Sequence, residues 1–250
     1  TVVRDGGSGE DEGALWELLR GKARFFRHFH DPLRPWDSSG LKFLFFPRFE
    51  SAVRWAQRTD QSRETGHGNY SWLDARRYYQ TALTGESPAV REQAFADTFR
   101  ALGQTMHLVV DASVPEHVRN DEHPLGPVFG NYEYWVSAQH PDRDAEQAFV
   151  QGFLSAPIAL DPEVLKIPIA ASETIARVPI ARLFDSDRYT GANPEVTADT
   201  RIGIAEVANA NFFSEDTRHG DYPHPARANL ERYVRLYTKT GRPRAYFRKG

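Results

Sequence analysis

Cysteine is absent from this sequence. Its absence excludes disulfide frameworks, thiolate nucleophiles and zinc sites made from cysteine. Any metal site must therefore use histidine, aspartate and glutamate. A chain without disulfides can work in the cytoplasm, or it can be exported and gain stability from bound metal, so the missing cysteine does not decide the compartment.

Long apolar runs are also missing, and none approaches the roughly 18 residues needed to span a bilayer. We therefore expect no transmembrane segment. The first residue is Thr1, and neither the basic region nor the apolar region of a signal peptide follows it. We expect a processed or truncated product.

A third absence is any large excess of charge of one sign. The 250 residues include 31 Lys and Arg against 34 Asp and Glu, a net charge of -3. This balance does not indicate a polyanion partner such as duplex DNA. A hydrophobic content of 40% and a mean hydropathy of -0.59 indicate a soluble chain, long enough for one full core. We predict a single domain over residues 1–250.

Helical periodicity dominates the chain after residues 1–13, which we expect to form a flexible acidic loop. The predicted helices are Ala14 to Phe26, Leu41 to Arg58 with Pro47 inside it, Ser71 as cap through Ala82, Ser87-Pro88 to about Ser113, Asn131 to Ala138, Ala145 to Ser155, Ser172 to Phe184, Arg201 to Phe213 and Ala226 to Tyr237. The segment Ile167 to Val178 is rich in β-branched residues and has the composition of a strand, but no run of alternating strands completes a sheet. The prediction is an all-α fold, a single compact helical domain.

The clearest helix begins at Ser87-Pro88, where a cap residue precedes proline at the first helical position. We expect its apolar stripe to face the core. The stripe consists of Phe95, Phe99, Leu102, Met106 and Val109.

This helix also carries a metal-ligand spacing. His107 and Asp111 are four residues apart, so both side chains lie on one face and can share an ion. His117 follows within six residues, and His123 and Glu133 come later. A lone pair of this kind is more often a surface or capping pair, but two sets of histidine and carboxylate in a short stretch favour a multinuclear site.

Further candidate ligands precede the helix. His28 and His30 lie just before a proline turn, and three acids occur upstream at Glu10, Asp11 and Glu12.

In the order of these motifs, the chain resembles the zinc-dependent phospholipases C and the related single-strand-type zinc nucleases. His28-Phe29-His30-Asp31-Pro32 is similar to the family's His-Phe-x-Asp-Pro segment. Leu102-Gly103-x-x-x-His107-x-x-x-Asp111 resembles its core helix, and Val114-Pro115-x-His117 resembles its Pro-x-His turn. The similarity covers about half of the chain, from Glu10 to Trp135.

The resemblance implies a ligand set. His28, His107 and Asp111 would hold one zinc, together with an acid from the upstream loop, for which Asp11 is the best match and Glu10 the alternative. Asp111 would bridge to a neighbouring zinc.

A further zinc would use His117, a second histidine and the carboxylate of Glu133. The family pattern has that second histidine four residues before the carboxylate, where this chain has Phe129. We assign His123 instead, because the loop between Arg119 and Gly130 can bring it back toward His117.

A third zinc in the family is bound by an N-terminal tryptophan and a nearby histidine. This chain begins with Thr1 and has no histidine before His28. The resemblance therefore implies either two or three zinc ions, with the N-terminal part of the family domain missing or the third site incomplete.

The reaction that these ions would support is phosphodiester hydrolysis. Zinc lowers the pKa of bound water to about 7, and adjacent ions can hold the attacking and departing oxygens of an in-line displacement. Asp11, Asp111 and Glu133 are the predicted catalytic carboxylates, and Asp11 or another uncoordinated acid would orient the water. The expected substrate is a phospholipid headgroup, with single-stranded nucleic acid as the alternative, in a secreted or periplasmic bacterial enzyme.

Several residues near these motifs have two interpretations. His30 and Asp31 form either an outer pair that orients a ligand or a plain turn. Arg119 either contacts phosphate or belongs to a salt-bridged loop. Asn209 and Asn211 lie in a segment that we assign mainly to packing around the site.

The aromatic residues near the two ends of the motif region also have two interpretations. The run Phe43, Phe45, Phe46 and Phe49, near Trp36, indicates a core helix or a surface for lipid tails. The group Tyr132, Tyr134 and Trp135 would stack on a base or pack behind Glu133.

Two competing functions follow from these features. Phe129 and the absent N-terminal ligands suit a non-catalytic helical module with one residual structural zinc. The aromatic run from Phe43 to Phe49 suits a protein that binds a lipid surface.

Overall fold

The computed structural model describes residues 23–43, 45–121, 132, 179–191, 202–214, 230–236 and 243–249. The α-helices in these ranges are α1 (Ala52–Trp55), α2 (Ser62–Thr65), α3 (Trp72–Thr84), α4 (Pro88–Asp111) and α5 (Ile204–Asn211). Three 3-10 helices span Arg24–Arg27, Trp36–Ser38 and Pro179–Leu183. Helix therefore predominates in this part of the chain, as predicted.

The two long helices begin where their caps predict. The Ser71 side chain accepts from the backbone of Asp74, whose carboxylate accepts from the Ser71 backbone, and this capping box starts α3. Ser87 accepts from Val90 N–H and Pro88 takes the first position of α4. Helix α3 ends two residues after the predicted Ala82, and α4 ends two before Ser113.

Helices α3 and α4 pack against each other. Both bury alanine at the positions nearest the core, Ala75 and Ala82 in α3 and Ala94 and Ala101 in α4. Small side chains let two helix backbones approach closely. The C-terminal half of α4 carries the buried Gln104, Leu108 and Asp111.

The apolar stripe of α4 does not face the core as predicted. Phe95 is 38% exposed, Phe99 45% and Met106 57%. The buried face instead includes Thr98, Gln104, Leu108 and Asp111, together with the alanines named above. Polar residues occupy the interior face because buried partners satisfy them, which a count of apolar residues does not register.

The predicted helix from Leu41 to Arg58 is also corrected. Its described residues include only the four-residue helix α1, and the chain before it is extended or turning. Pro47 cannot donate a helical hydrogen bond, and the phenylalanines around it pack on Phe26 from a non-helical backbone. Phe26 and Phe49 are stacked, with ring centroids 4.4 Å apart.

The hydrophobic core joins distant parts of the chain. Leu108 of α4 and Ala205 and Ala208 of α5 belong to one cluster with the indoles of Trp36 and Trp55. Its remaining buried members are Ala52, Val53, Ala56, Ala112, Val118, Ala181 and Phe184. This cluster lies beneath the segments that carry His30 and His117.

A small sheet follows α5 and corrects the prediction that the chain forms no sheet. Strands β1 (Phe212–Ser214), β2 (Leu230–Leu236) and β3 (Pro243–Lys249) form an antiparallel sheet in the order β1-β3-β2. The register pairs Phe213 with Phe247 and Tyr233 with Tyr246.

Strand β2 lies inside the predicted helix Ala226 to Tyr237, so that helix is wrong. Leu230, Tyr233 and Val234 have helical spacing, but a short apolar run fits both periods and the pairing with β3 decides between them. The predicted helix Arg201 to Phe213 is shorter in the structure, because β1 begins at Phe212.

Other predictions fall partly or wholly outside the described residues. The N-terminal loop 1–13 does so entirely, as do the predicted helix Ala145 to Ser155 and the segment Ile167 to Val178. The predicted helices Ala14 to Phe26 and Ser172 to Phe184 are described only at their ends, in the 3-10 helices Arg24–Arg27 and Pro179–Leu183. The single domain over 1–250 stays a prediction.

Candidate metal centre

His28 follows a 3-10 turn that two arginines anchor to the neighbouring helices. Arg24, 2% exposed, donates to the side-chain oxygens of Gln61 at 3.0 Å and Gln104 at 2.6 Å. Arg27 donates to Glu64 at 2.6 Å. The segment just before His28 is therefore held against α4 on one side and α2 on the other.

The residues just after His28 are held through their backbones. Phe29 C=O accepts from Ala52 N–H at 3.0 Å, and Asp31 N–H donates to Ser39 C=O at 2.7 Å. His30 N–H donates to the carbonyl oxygen of His117 at 2.9 Å. This last bond joins the two histidine-bearing segments directly.

His107 and Asp111 lie in the last turn of α4, as their spacing predicts. His107 Nε2 is 3.2 Å from Asp111 Oδ2, and His28 Nδ1 is 3.0 Å from the same oxygen. The ligand atoms of the three residues all lie within 4.8 Å of one another. The helix and the N-terminal segment thus meet at a single carboxylate oxygen.

His117 approaches the same carboxylate from the turn that follows α4. His117 N–H donates to Val114 C=O at 3.1 Å, and this tight turn reverses the chain so that His117 Nδ1 lies 3.4 Å from Asp111 Oδ1. The two oxygens of Asp111 therefore face different histidines, as a bridging carboxylate would require.

Two of the three separations between these ligand atoms suit a zinc ion. Ligand atoms about 2.0–2.2 Å from a tetrahedral zinc are separated by roughly 3.3 Å, close to the observed separations of His28 and His107 from Asp111. The side chains of His28 and Asp111 are 3% and 4% exposed, and that of His107 is 20% exposed.

The electrostatics of the cluster keep Asp111 ionised. Burial alone would raise the pKa of Asp111. Electrostatic attraction to His28 and His117, together with hydrogen bonds from His107 and His117, instead holds this pKa well below its usual range. A carboxylate that stays charged in the interior is a strong cation ligand.

A second pair of histidine and carboxylate lies behind this cluster and was not predicted. His30 Nε2 is 2.8 Å from Asp185 Oδ2, and both side chains are fully buried. The indole N–H of Trp36 donates to the same oxygen at 2.8 Å. Burial raises the pKa of Asp185, and the hydrogen bond from His30 opposes that rise.

Of the two interpretations of His30 and Asp31, the plain turn is the one that Asp31 adopts. Its carboxylate accepts from Leu33 N–H and from Arg34, each at 3.0 Å. No local signal marks Asp185, which is 155 residues from His30 along the chain.

The loop that carries Asp185 is held by Glu206 of α5. The Glu206 carboxylate accepts from the backbone N–H groups of Ser186, Arg188, Tyr189 and Gly203, and from the Ser186 hydroxyl, at 2.6–2.9 Å. A side chain at Gly203 would lie 2.5 Å from Phe184 O, so glycine allows the start of α5 to approach this loop.

The same helix holds the loop after His117. The Asn209 side chain donates to Val118 C=O at 2.6 Å, and Arg119 donates to the carbonyl oxygens of Pro115 and Asn209. The Arg119 guanidinium also lies over the ring of Phe213, 4.5 Å from its centroid. Arg119 is 1% exposed, which argues against the phosphate contact that the sequence left open.

Glu116 is a further buried acid that sequence reasoning missed. Its Oε1 accepts from Tyr132 N–H at 3.0 Å. Tyr132 immediately precedes Glu133 in the sequence. Glu116 is next to His117, so this bond brings the chain before Glu133 to the turn that carries His117.

The remaining predicted site residues lie outside the described part of the chain. These residues are Asp11, its alternative Glu10, His123 and Glu133. Their roles as ligands or catalytic groups stay predictions. Phe129, which occupies the position of the family's histidine, also lies outside the described part of the chain. Tyr134 and Trp135 also lie outside it.

The aromatic run near Pro47 is half-buried and packs on Phe26. Phe43, Phe46 and Phe49 surround Phe26, with ring centroids 4.4–6.0 Å from it. Phe45 differs, since it is 83% exposed.

In the described ranges, no helix is both long and apolar enough to cross a bilayer.

No family model, curated protein or solved structure matches this chain.

Proposed function

We propose that this chain is a metal-dependent phosphodiester hydrolase with the fold and zinc chemistry of the phospholipase C and zinc nuclease type. The observation that carries the proposal is the convergence of His28, His107 and His117 on the two oxygens of Asp111. These residues come from separate segments, and their order along the chain is the one that the resemblance implies.

The proposed roles divide the cluster into ligands and positioning groups. His28, His107 and Asp111 would hold one zinc, and His117 together with Asp111 would contribute to a second. Bound zinc lowers the pKa of a coordinated water to about 7, which provides hydroxide at neutral pH. Asp11 and Glu133 remain the proposed further carboxylates, and either would orient that water.

His107 marks the side from which substrate would approach. Its side chain is 20% exposed, whereas those of His28, His117 and Asp111 are 3–5% exposed. A buried carboxylate keeps bulk water from one side of the reacting centre and strengthens its electrostatics. The open side must admit the phosphodiester.

Phospholipid is the substrate class that we place first, and single-stranded nucleic acid is second. The exposed Phe45 and the exposed apolar stripe of α4 supply surface that suits acyl chains. We also propose, through the resemblance, export to the periplasm or medium of a bacterial cell.

A screen of three phosphodiesters tests the proposal. Phosphatidylcholine vesicles, a single-stranded oligonucleotide and bis(4-nitrophenyl) phosphate are incubated with the full chain, with added zinc and with chelator. We expect hydrolysis of at least one substrate, lost with chelator and restored by zinc. Hydrolysis that survives chelation, or none with any substrate in zinc, contradicts the proposal.

The burial of the cluster favours one alternative, a structural zinc in a non-catalytic module. Structural sites are closed, whereas catalytic sites keep a position open to water or substrate. The cobalt-substituted protein separates the two, because an added anion such as azide changes the visible spectrum only when a coordination position is open. A single bound ion with an unchanged spectrum favours the structural role.

A further inference from the structure

His30 belongs to the segment of His28 and bonds to the segment of His117, so it joins the two parts of the candidate metal centre. It is two residues after His28 in the chain, and its N–H donates to His117 C=O at 2.9 Å. Its ring is fully buried, with Nε2 2.8 Å from Asp185 Oδ2 and Nδ1 3.1 Å from Ser39 Oγ. The orientation of this ring is therefore coupled to the positions of both neighbouring histidines.

Asp185 is the group that holds the ring, and it is itself held on all sides. Its Oδ2 accepts from His30 and from the indole of Trp36, each at 2.8 Å, and its Oδ1 accepts from Asp187 N–H at 2.9 Å. The Glu206 carboxylate fixes the following residues to α5. Asp185 thus presents a preoriented acceptor to His30.

We propose that Asp185 is a positioning residue of the metal centre, which sets the placement of His28 and His117 through His30. The inference rests on the proposed function. Loss of an outer partner that orients a metal ligand costs about 10–100-fold in metal affinity or activity. Asp185 acts one step further out, on a residue that joins two ligands by backbone and not on a ligand ring.

Asp185→Asn tests this role, with Asp187→Asn as the matched control. The carboxamide would place an N–H donor near His30 or near Asp187 N–H, so one of the observed bonds is lost. The Asp187 carboxylate is in the same loop and pairs with Arg182 at 2.7 Å. Only the backbone N–H of Asp187 contacts Asp185, and Asp187→Asn keeps that N–H. Zinc affinity is measured by competition with a chromophoric chelator, and the visible spectrum is recorded after cobalt substitution.

We expect Asp185→Asn to bind zinc more weakly by up to about tenfold, the lower end of the range for a direct partner, with altered cobalt bands, and Asp187→Asn to match the unmodified chain. Melting of the metal-free proteins provides the structural control. Unchanged affinity and spectrum in folded Asp185→Asn would overturn the inference.

Two further variants separate the route through His30 from general packing, and they carry the test if Asp185→Asn does not fold. His30→Asn removes the imidazole ring, while Trp36→Phe removes the indole donor to Asp185 Oδ2 and leaves the bond to His30 in place. We expect weaker zinc binding in His30→Asn and near-normal binding in Trp36→Phe. The reverse order would overturn the inference.

The result also distinguishes this inference from the proposed function. If the unmodified chain binds no metal, both are wrong. If it binds zinc and hydrolyses phosphodiesters while Asp185→Asn and His30→Asn do the same equally well, only the role of Asp185 is wrong.

Discussion

The side-chain amide of Asn209 donates to the backbone carbonyl of Val118 at 2.6 Å, one residue after His117. Arg119 in turn donates to the Asn209 carbonyl. Helix α5, whose Asn209 is fully buried, therefore holds the loop of a candidate ligand that is about 90 residues earlier in the chain.

Asn209→Leu should destabilise the fold and weaken zinc binding. The substitution keeps the branching of the side chain but leaves Val118 C=O without this donor, and an unsatisfied buried group costs about 1–3 kcal/mol. The measurements are chemical denaturation and zinc competition. Asn211→Leu is the control, because the Asn211 amide bonds to Val207 O within its own helix. Equal losses in both variants would remove the special role of Asn209.

Asp111→Asn should abolish phosphodiesterase activity and the stabilisation that zinc provides. Ligand binding to the native state adds about 2.7 kcal/mol at a concentration of 100 Kd, and the variant lacks the carboxylate that three histidines share. Melting with and without zinc measures this. Asp97→Asn, on the same helix and bonded to Gln93, should keep both properties. Normal activity in Asp111→Asn would exclude it from the site.

His123→Ala tests a ligand assigned from sequence alone. If His123 replaces the histidine missing at position 129, the variant should bind one zinc equivalent fewer than the unmodified chain, by elemental analysis. His67→Ala is the control, since His67 is exposed. Full zinc occupancy in His123→Ala would reassign the position.

Glu64→Gln should make the melting temperature less dependent on pH in the acid range. Burial alone would raise the pKa of Glu64, but its hydrogen bonds to Arg27 and Arg58 lower that pKa below its usual 4.5. A lowered pKa stabilises the fold above pH 4.5, and this contribution is lost as the pH falls through the folded-state pKa. Melting between pH 2 and 7 is compared with that of Glu92→Gln, whose side chain is exposed. An unchanged dependence of the melting temperature on acid pH would contradict the lowered pKa of Glu64.

Glu206→Gln should destabilise the loop that carries Asp185. The carboxylate accepts from four backbone N–H groups and a hydroxyl, and a carboxamide has only one acceptor oxygen. We expect a loss on the order of 3 kcal/mol in the free energy of unfolding. Exposed Glu86→Gln should have little effect. Equal stability of the two variants would show that the hydrogen bonds to Glu206 do not stabilise the fold.

Local chemistry made several features predictable. Ser71 with Asp74, and Ser87 with Pro88, determine where α3 and α4 begin because capping involves only neighbouring residues. Helical spacing likewise places His107 beside Asp111. The motif order identified His28 and His117 as further candidates, and the structure brings both to that carboxylate.

Ambiguous periodicity explains the wrong elements. The apolar stripe of α4 predicts a core-facing surface, although the buried face carries Gln104 and Asp111, whose burial depends on Arg24 and the histidines. The short apolar pattern of strand β2 fits both the helical and the strand period, and so it also predicts a helix. The hydrophobic pattern alone predicts neither the buried polar face of α4 nor strand β2, because each depends on residues from other segments of the chain.

By itself, the sequence determined the helix starts and the histidine and aspartate spacing at the end of α4, since both depend on residues within a few positions of each other. Only the tertiary structure decided that Asp185 holds His30 and that Asn209 holds the loop after His117. These partners come from segments at least 90 residues away, and hydrogen bonds form where packing aligns donor with acceptor.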